Sequence, residues 1–456
     1  MRITLKFLLV LAVLGGVFAG CSKNDPPLPP VEVGFSATEL GFDAATDDLT
    51  VTLEATRAQA VAVPVTINVI ATGLTTGTDF STNPAITAGT LSVTIPANST
   101  SATFKITKAD GLLLSGSEKI NFEIASVTDA VAGAKKNLSV SLSAIVSEGS
   151  SDFVIPGKTD VSNYANSVYV DFSNNATIAV DRQSWNIGFT TGSDFQVVLN
   201  PYHVSKAWKL NKTDITTVIS SADTTGSGLN FGQYSTPFTA IDDISGDLAK
   251  TVFGDIAANE ADAKVIIYAK EFDTDPANWY RIKISRNDNG YKLQYAKYNE
   301  TTVKTVNIDK NSDYNLTFFS LETNNVVNVE PKAKNWDIQW SYSVYQTGTL
   351  AYAFQDLISL NYLGGAEAAE VISTTATWDA DFNAFAKSNV SSLTFLKTKD
   401  AIGDKWRVTT GSGIKKDRFY VVKDPSGNYY KLRFKKMGVG DAGQRGRPEI
   451  DYVLLK

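Results

Sequence analysis

The sequence predicts an all-β protein in which an N-terminal antiparallel β-sandwich precedes two tandem β-rich domains with few short helices. Three observations support this fold class. Short runs alternate apolar and polar residues with the period of two that strands require. A set of aromatic motifs recurs after about 150 residues, which indicates an internal duplication. Helical periodicity is weak, and 243–256 and 379–386 are the best short helices because each has an acidic start.

The first 20 residues have the features of a secretory signal peptide. Arg2 and Lys6 precede an apolar run over 7–14 that is too short to span a membrane. The run leads to Phe18-Ala19-Gly20-Cys21, which resembles the bacterial lipobox and implies lipidation at Cys21. Cys21 is the only cysteine of the chain, so no intramolecular disulfide competes for it. We therefore expect a lipid-anchored protein of the outer membrane that faces the cell exterior, with residues 21–31 as a Pro-rich extended tether.

Composition limits the classes of partner. The chain has 456 residues, 11% aromatic residues and a net charge of −6. An acidic chain without a basic cluster is not typical of nucleic-acid binding. Since no disulfide is available, each domain depends on its own core, which favours two to four domains of about 100 residues or more.

Residues 32–147 carry the strand-like runs of the predicted sandwich, which are 49–53, 63–69, 91–95, 102–106 and 120–124. The motifs at 77–80, 89–103 and 118–124 follow an order that resembles Calx-beta domains. Such domains often bind calcium through an acidic run, but here 108–114 is poor in acidic residues. Asp110 and Glu118 supply too few oxygens for a hard cation. We therefore expect a spacer domain that does not bind calcium.

The duplication divides the remainder into residues 148–315 and residues 316–456. Trp185-Asn186-Ile187 recurs as Trp336-Asp337-Ile338, and Trp279-Tyr280 recurs as Tyr429-Tyr430. The offsets are 151 and 150 residues, so two separate motifs share nearly one period. We interpret the segments as two tandem domains of one fold with a boundary near residue 315.

Both segments resemble the HmuY-like surface lipoproteins of the Bacteroidetes, the second more closely. The resemblance rests on the motif at 336–338 and on the C-terminal motifs at 429–434 and 443–452. It implies an all-β, hand-like fold and capture of haem or a related tetrapyrrole for iron acquisition, with an outer-membrane receptor as a further partner.

Candidate haem ligands are few. Haem iron accepts imidazole, thioether or phenolate, and the chain has one histidine, His203, and, beyond the signal peptide, one methionine, Met437. A bis-histidine site within one molecule is therefore excluded, and a His203–Met437 pair would join the two repeats. Tyr202 and Tyr362 are the tyrosines that we assign to the candidate site, since the loop at 200–203 aligns with the loop at 361–366.

No catalytic motif is present, and we predict a binding protein that is not an enzyme. The sequence has no zinc-protease or thiol-redox spacing and no nucleophile elbow. The alternative to haem is a module that binds glycan or protein, because aromatic side chains on a β scaffold can stack on sugars. Four tryptophans could form such a platform: Trp208, Trp279, Trp378 and Trp406.

Overall fold

The structure is a computed structural model. It describes residues 28–42, 48–109, 112, 114, 116–142, 146–229, 237–270, 273–374, 378–409, 411 and 413–456, with the backbone alone at 203 and 350. The predicted signal peptide, Cys21 and Asp110 lie outside the described residues. The chain divides into two compact units. The N-terminal unit ends at residue 145 and the C-terminal unit begins at residue 146. No helix in the described ranges is long and apolar enough to cross a membrane.

The described residues of the N-terminal unit form ten strands: β1 (Glu32–Phe35), β2 (Glu39–Phe42), β3 (Asp48–Ala55), β4 (Val63–Thr72), β5 (Phe80–Asn83), β6 (Thr90–Ile95), β7 (Ser101–Lys108), β8 (Lys119–Val127), β9 (Val131–Ala132) and β10 (Asn137–Leu142). They form sheet A, in the order β5-β7-β3-β1-β9, and sheet B, in the order β2-β10-β8-β4-β6. Most pairs are antiparallel, while β1–β9 and β2–β10 are parallel.

Alternation along the strands builds the core of this unit. In β8, Ile120, Phe122 and Ile124 are buried, whereas the residues between them are exposed. Phe104 of sheet A meets Phe122 of sheet B with ring centroids 5.3 Å apart. The sandwich therefore buries one face of each sheet, and all five strand-like runs of the sequence lie within β3, β4, β6, β7 and β8.

The C-terminal unit has eighteen described strands: β11 (Gly149–Val154), β12 (Asn166–Asp171), β13 (Ala176–Asp181), β14 (Ile187–Thr190), β15 (Val197–Leu199), β16 (Lys206–Lys209), β17 (Val265–Ala269), β18 (Tyr280–Asn287), β19 (Gly290–Lys297), β20 (Lys304–Asp309), β21 (Leu316–Ser320), β22 (Asn325–Val327), β23 (Ile338–Thr347), β24 (Leu350–Leu360), β25 (Glu367–Ile372), β26 (Arg418–Lys423), β27 (Tyr429–Lys436) and β28 (Glu449–Leu454). A single α-helix among the described residues, α1, covers Trp378–Ala384. The predicted all-β fold class is confirmed.

Four sheets organise this unit. Sheet C has the order β11-β28-β27-β26-β25, and sheet D has the order β13-β12-β23-β24. Sheet E has the order β15-β14-β21-β22, and sheet F has the order β16-β17-β18-β19-β20. If β11–β19 are superposed in order on β20–β28, sheet C corresponds to sheet F and sheet D to sheet E. The strand order is therefore repeated, with nine strands in each half.

The two halves exchange strands. Sheet D pairs β12 of the first half with β23 of the second, and sheet E pairs β14 with β21. The first strand of each half also joins the sheet of the other half, since β11 pairs with β28 and β20 pairs with β19. Two tandem domains that meet near residue 315 are therefore not confirmed: the halves share sheets, and the second begins at β20.

The short helices agree with the sequence only in part. The predicted helix at 379–386 corresponds to α1. The predicted helix at 243–256 is wrong, because the segment is irregular apart from one 3₁₀ turn at Leu248–Lys250. Asp242 accepts hydrogen bonds from the backbone of Leu199 and Val252, which holds the segment against β15 in place of helical bonds.

Candidate functional site

The candidate site is a cleft between sheet D and sheet E. Along β12, Val168 and Val170 join the core that sheet D shares with sheet C, so Ser167 and Tyr169 point to the opposite face. Along β21, Phe319 joins the core shared with sheet F, so Phe318 also faces the cleft. Strand periodicity thus gives each of these two sheets one face for a core and one for the site.

The cleft contains three adjoining cavities of about 120, 30 and 180 Å³. Lys399 lines all three, and Asp242 lines the first two. The first cavity is close in size to a pocket for one small ring, whereas the three together approach the range of ligand pockets. Aromatic side chains from both halves line the first cavity: Tyr169, Trp185, Phe318, Trp336, Tyr342 and Tyr362.

An asparagine fixes the same corner of the cleft in each half. The Nδ2 group of Asn200 donates to the carbonyl of Trp185 at 2.8 Å, and that of Asn361 donates to the carbonyl of Trp336 at 2.7 Å. Both asparagines are buried. Each therefore holds a cleft tryptophan by its backbone, and the two bonds are equivalent under the repeat.

The tryptophans are packed in matching ways. Trp185 meets Phe318 edge to face with centroids 4.7 Å apart, and Trp336 meets Tyr169 edge to face at 5.0 Å. The indole nitrogen of Trp336 and the hydroxyl of Thr251 are buried without a hydrogen-bond partner in the described structure, and both residues line the cleft. A polar ligand atom could satisfy such groups.

The irregular segment 242–251 covers one side of the cleft. The backbone N–H of Lys399 donates to the carbonyl of Ser245 at 2.8 Å, and the carbonyl of Lys399 accepts from the backbone N–H of Leu360. Lys399 therefore links this cover to the end of β24. Burial raises the pKa of Asp242 to about 6 and lowers the pKa of Lys399, while the charge of each opposes its partner's shift. Asp242 of the cover and Lys399 therefore place one carboxyl and one amine at the cleft.

Glu330 supplies a second carboxyl with a perturbed pKa. It accepts hydrogen bonds from the backbone of Leu316 at 2.7 Å and from the side chain of Asn315 at 3.4 Å. Burial raises its pKa to about 7, although both hydrogen bonds oppose the shift. Glu330 thus changes charge near neutral pH while it faces the cleft.

Of the two predicted tyrosines, Tyr362 lines the cleft and Tyr202 does not. Tyr362 lines the cleft, and its hydroxyl donates to the carbonyl of Gly246 at 2.8 Å. Tyr202 lies behind the cleft wall, where its ring meets Tyr342 at 5.5 Å and its hydroxyl accepts a hydrogen bond from Gln183. Burial raises the pKa of Tyr362, so its phenolate form is disfavoured.

Met437 is not brought to the site. It is buried in the core between sheets C and D, which is the face of sheet D opposite the cleft, and it lines none of the three cavities. His203 belongs to a short 3₁₀ turn at Tyr202–Val204, next to cleft residue Pro201. Its side chain lies outside the described structure.

Two of the four tryptophans considered for a glycan platform are inaccessible to a ligand. Trp279 and Trp406 are each 1% exposed and belong to different cores. Trp378 donates its indole N–H to the carbonyl of Arg418.

The described ranges contain no group of three or more His, Cys, Asp or Glu side chains arranged to hold a metal ion. Glu118 is positioned by the backbone N–H of Gly116 at 2.8 Å.

Sequence reasoning missed Asp242, Glu330 and Lys399, which come from irregular segments with no motif of their own. The asparagine pair could be found from the sequence, because Asn200 and Asn361 occupy equivalent ends of the duplicated loops. The duplication is thus the signal that leads to the cleft.

Comparison with known proteins supports a relationship for part of the chain. The family model described as HmuY protein matches residues 312–452, which cover most of the second half of the C-terminal unit. No curated protein matches the chain.

Solved structures give only weak overall similarity. The apo form of the Calx CBD1 domain is 13% identical, with 25% of this chain and 96% of that chain covered and a TM-score of 0.22. A putative carbohydrate binding protein from Bacteroides ovatus is 11% identical, with 61% and 71% covered and a TM-score of 0.19. A two-domain protein of unknown function from Bacteroides fragilis is also 11% identical, with 64% and 84% covered and a TM-score of 0.19.

Proposed function

We propose that this chain is a lipid-anchored surface protein, not an enzyme, that captures haem or a related tetrapyrrole in the cleft between sheets D and E. The HmuY match to 312–452 carries this proposal, because that segment contributes Trp336, Tyr342 and Tyr362 to the cleft. Flat aromatic walls suit a planar macrocycle. The C-terminal unit is the binding part, and the N-terminal sandwich is a spacer.

The positions of the candidate ligands reduce the number of side chains that could bind haem iron. Met437 lies on the face of sheet D opposite the cleft, and the raised pKa of Tyr362 opposes ligation by its phenolate. His203 follows cleft residue Pro201 by two positions. We therefore assign the axial ligand to His203 and remove Met437 from the proposed ligand set.

The test is a haemin titration of the soluble chain from Ser22 onward, which we call the mature chain. Absorbance is followed in the oxidised and reduced states. A saturable Soret shift is expected, with loss of the shift in His203→Ala. Met437→Leu is the matched control, because it conserves core volume and should leave the spectrum unchanged. No shift with the unaltered chain would refute haem capture, and loss of the shift in Met437→Leu but not in His203→Ala would refute the assigned ligand.

A glycan is the second candidate, and the polar lining of the cleft favours it. Four carboxyl groups line the first cavity against one lysine: Asp242, Asp243, Asp247 and Glu330. Acidic groups beside aromatic rings suit the hydroxyls and faces of a neutral sugar better than the propionates of haem. Binding on a glycan array that is lost in Trp336→Ala, with Trp378→Ala as the control, would support this alternative. An array without signal would exclude the glycans tested.

The anchor requires a separate test. Cys21→Ser should abolish metabolic labelling with a fatty acid and release the protein from the membrane fraction, whereas Ser22→Ala should do neither. Protease accessibility on intact cells then reports whether the protein faces the exterior. Labelling that survives in Cys21→Ser would refute the proposed anchor.

A further inference from the structure

A second group of polar side chains is buried away from the cleft cavities, around Trp340 of β23. It contains Arg182, Arg407 and Arg445 with the carboxylate of Asp356, and we name it the arginine cluster. Charge from all three guanidinium groups acts on Asp356. None of the four residues lines the three cleft cavities.

Arg182 is the most enclosed member, with 2% of its surface exposed. Its guanidinium lies over the ring of Trp340 at 4.7 Å, and its Nε donates to the carbonyl of Asn166 at 2.9 Å. Both terminal nitrogens are buried and have no hydrogen-bond partner in the described structure. A buried cation with unused donors is costly unless another group completes its hydrogen bonds.

Arg407 and Arg445 present further unused donors. Arg407 is 5% exposed and forms a buried ion pair with Asp356 through Nε, yet one of its terminal nitrogens has no partner in the described structure. Arg445 lies over the ring of Tyr164 at 5.7 Å, and Tyr164 is stacked on Trp340 at 6.0 Å. One terminal nitrogen of Arg445 is also buried without a hydrogen-bond partner in the described structure.

The arginine cluster carries an excess of positive charge. Three guanidinium groups act on one carboxylate, and each guanidinium lies over an aromatic ring. Guanidinium groups remain charged in proteins and present planar pairs of N–H donors that match carboxylate, sulfate or phosphate oxygens. A single bound oxyanion would supply both negative charge and acceptors.

We propose that the arginine cluster binds one small oxyanion, either a free tetrahedral anion or a carboxylate group of a larger ligand. Arg182, Arg407 and Arg445 supply the donors, and Asp356 orients Arg407. This site is independent of haem or glycan capture in the cleft, so either proposal can fail without the other.

The test is thermal unfolding of the mature chain, followed by tryptophan fluorescence, in sodium sulfate or sodium propionate against sodium chloride of equal ionic strength. All seven tryptophans lie in the C-terminal unit, so the signal reports that unit alone. A saturable rise of several degrees in Tm is expected once the anion is in large excess over its Kd. Because sulfate also raises Tm without saturation through its exclusion from protein surfaces, only a saturable rise with sulfate identifies the free anion. A saturable rise with propionate alone identifies a carboxylate.

Variants locate the effect. Arg182→Met keeps an apolar stem over Trp340 and should abolish the anion-dependent rise, as should Arg445→Gln at a less buried position. Arg418→Gln is the matched control, because Arg418 is already paired with Glu370 and Asp417. Equal Tm in all three salts would overturn the proposal. A rise that persists in both Arg182→Met and Arg445→Gln would also overturn it, since binding would then occur elsewhere.

Discussion

The two hairpin pairs that form the cleft, residues 166–200 and 315–361, build one hydrogen-bonded frame twice. The backbone N–H of Asn186 donates to the carbonyl of Phe319 at 2.9 Å, and that of Asp337 donates to the carbonyl of Val170 at 2.8 Å. The side chains repeat this exchange, since Asn186 accepts from the backbone of Leu321 at 2.7 Å and Asp337 from that of Phe172 at 2.6 Å. The frame is thus maintained by bonds between halves.

The two pairs differ at the side chain that accepts this bond, which is the amide of Asn186 in one and the carboxyl of Asp337 in the other. Asn186 has an amide whose Nδ2 is 3.2 Å from the hydroxyl of Tyr268 and 3.3 Å from the carboxylate of Glu322. Asp337 has a carboxyl at the equivalent place, and burial with the nearby charges of Asp171 and Asp424 raises its pKa well above the usual value. The frame requires an acceptor at this position and does not require a charge.

The largest expected effect is that of Asn186→Asp. The variant keeps the acceptor for Leu321 but replaces a buried donor with a carboxylate that faces Glu322. We expect a loss of about 3 kcal/mol of stability at pH 8 and a smaller loss in acid, where the new carboxyl is protonated. Urea unfolding followed by tryptophan fluorescence measures it. Unchanged stability at pH 8 would show that the site tolerates charge and that the comparison is misleading.

Glu330→Gln tests the charge of the cleft itself. With a folded pKa near 7 and an ordinary unfolded value near 4.5, the folded state holds the proton more tightly between these limits. Stability of the unaltered protein should therefore fall as pH rises through that window, by about 3 kcal/mol, and then level off. Unfolding free energies of the protein and the variant should diverge over pH 4.5–7 and run parallel above it. Parallel curves throughout would contradict the raised pKa.

Asn200→Ala and Asn361→Ala test whether the two corners are energetically equal. Each substitution removes a side-chain amide that donates to two backbone carbonyls. These carbonyls are those of Arg182 and Trp185 for Asn200, and those of Ala333 and Trp336 for Asn361. A loss of about 2 kcal/mol is expected in each case. Asn361 also accepts two hydrogen bonds, from Gly364 and Asn315, whereas Asn200 accepts one, from Tyr202, so the Asn361 variant should be the less stable of the two. The opposite ranking would show that the equivalence does not extend to energetics.

The smallest effect is expected for Asp337→Asn, which gives the second half the residue of the first. The amide keeps the acceptor for Phe172 and removes a charge that burial disfavours. Because the folded pKa of Asp337 is raised, removal of its charge should stabilise the variant as pH increases above the ordinary carboxyl range. The new buried amide N–H groups need acceptors and offset most of this gain, so we expect a net gain of about 1 kcal/mol at pH 8. A decrease at pH 8 would show that the charge has a use that Asn186 lacks.

The sequence predicts the sheets of this protein better than the connections between them. Alternation located strands such as β3 and β8, because one buried face per sheet determines which residues are apolar. The duplication located the equivalent loops at Asn200 and Asn361. It could not reveal the exchange, because strands such as β12 and β14 have the same pattern whichever half they pair with. Asp242 and Lys399 were missed because tertiary contacts alone bring irregular segments to the cleft.

The pairing of β11 with β28 has a consequence for the order of folding during synthesis. Gly149 lies opposite Val453, so the first strand of the C-terminal unit cannot complete its ladder until Val453 has been synthesised. Contacts between such distant residues make folding slow and leave strand edges exposed meanwhile. The N-terminal sandwich closes within its first 142 residues and can form before the remainder arrives. A chaperone that protects strand edges would therefore act on the C-terminal unit while the chain is being synthesised.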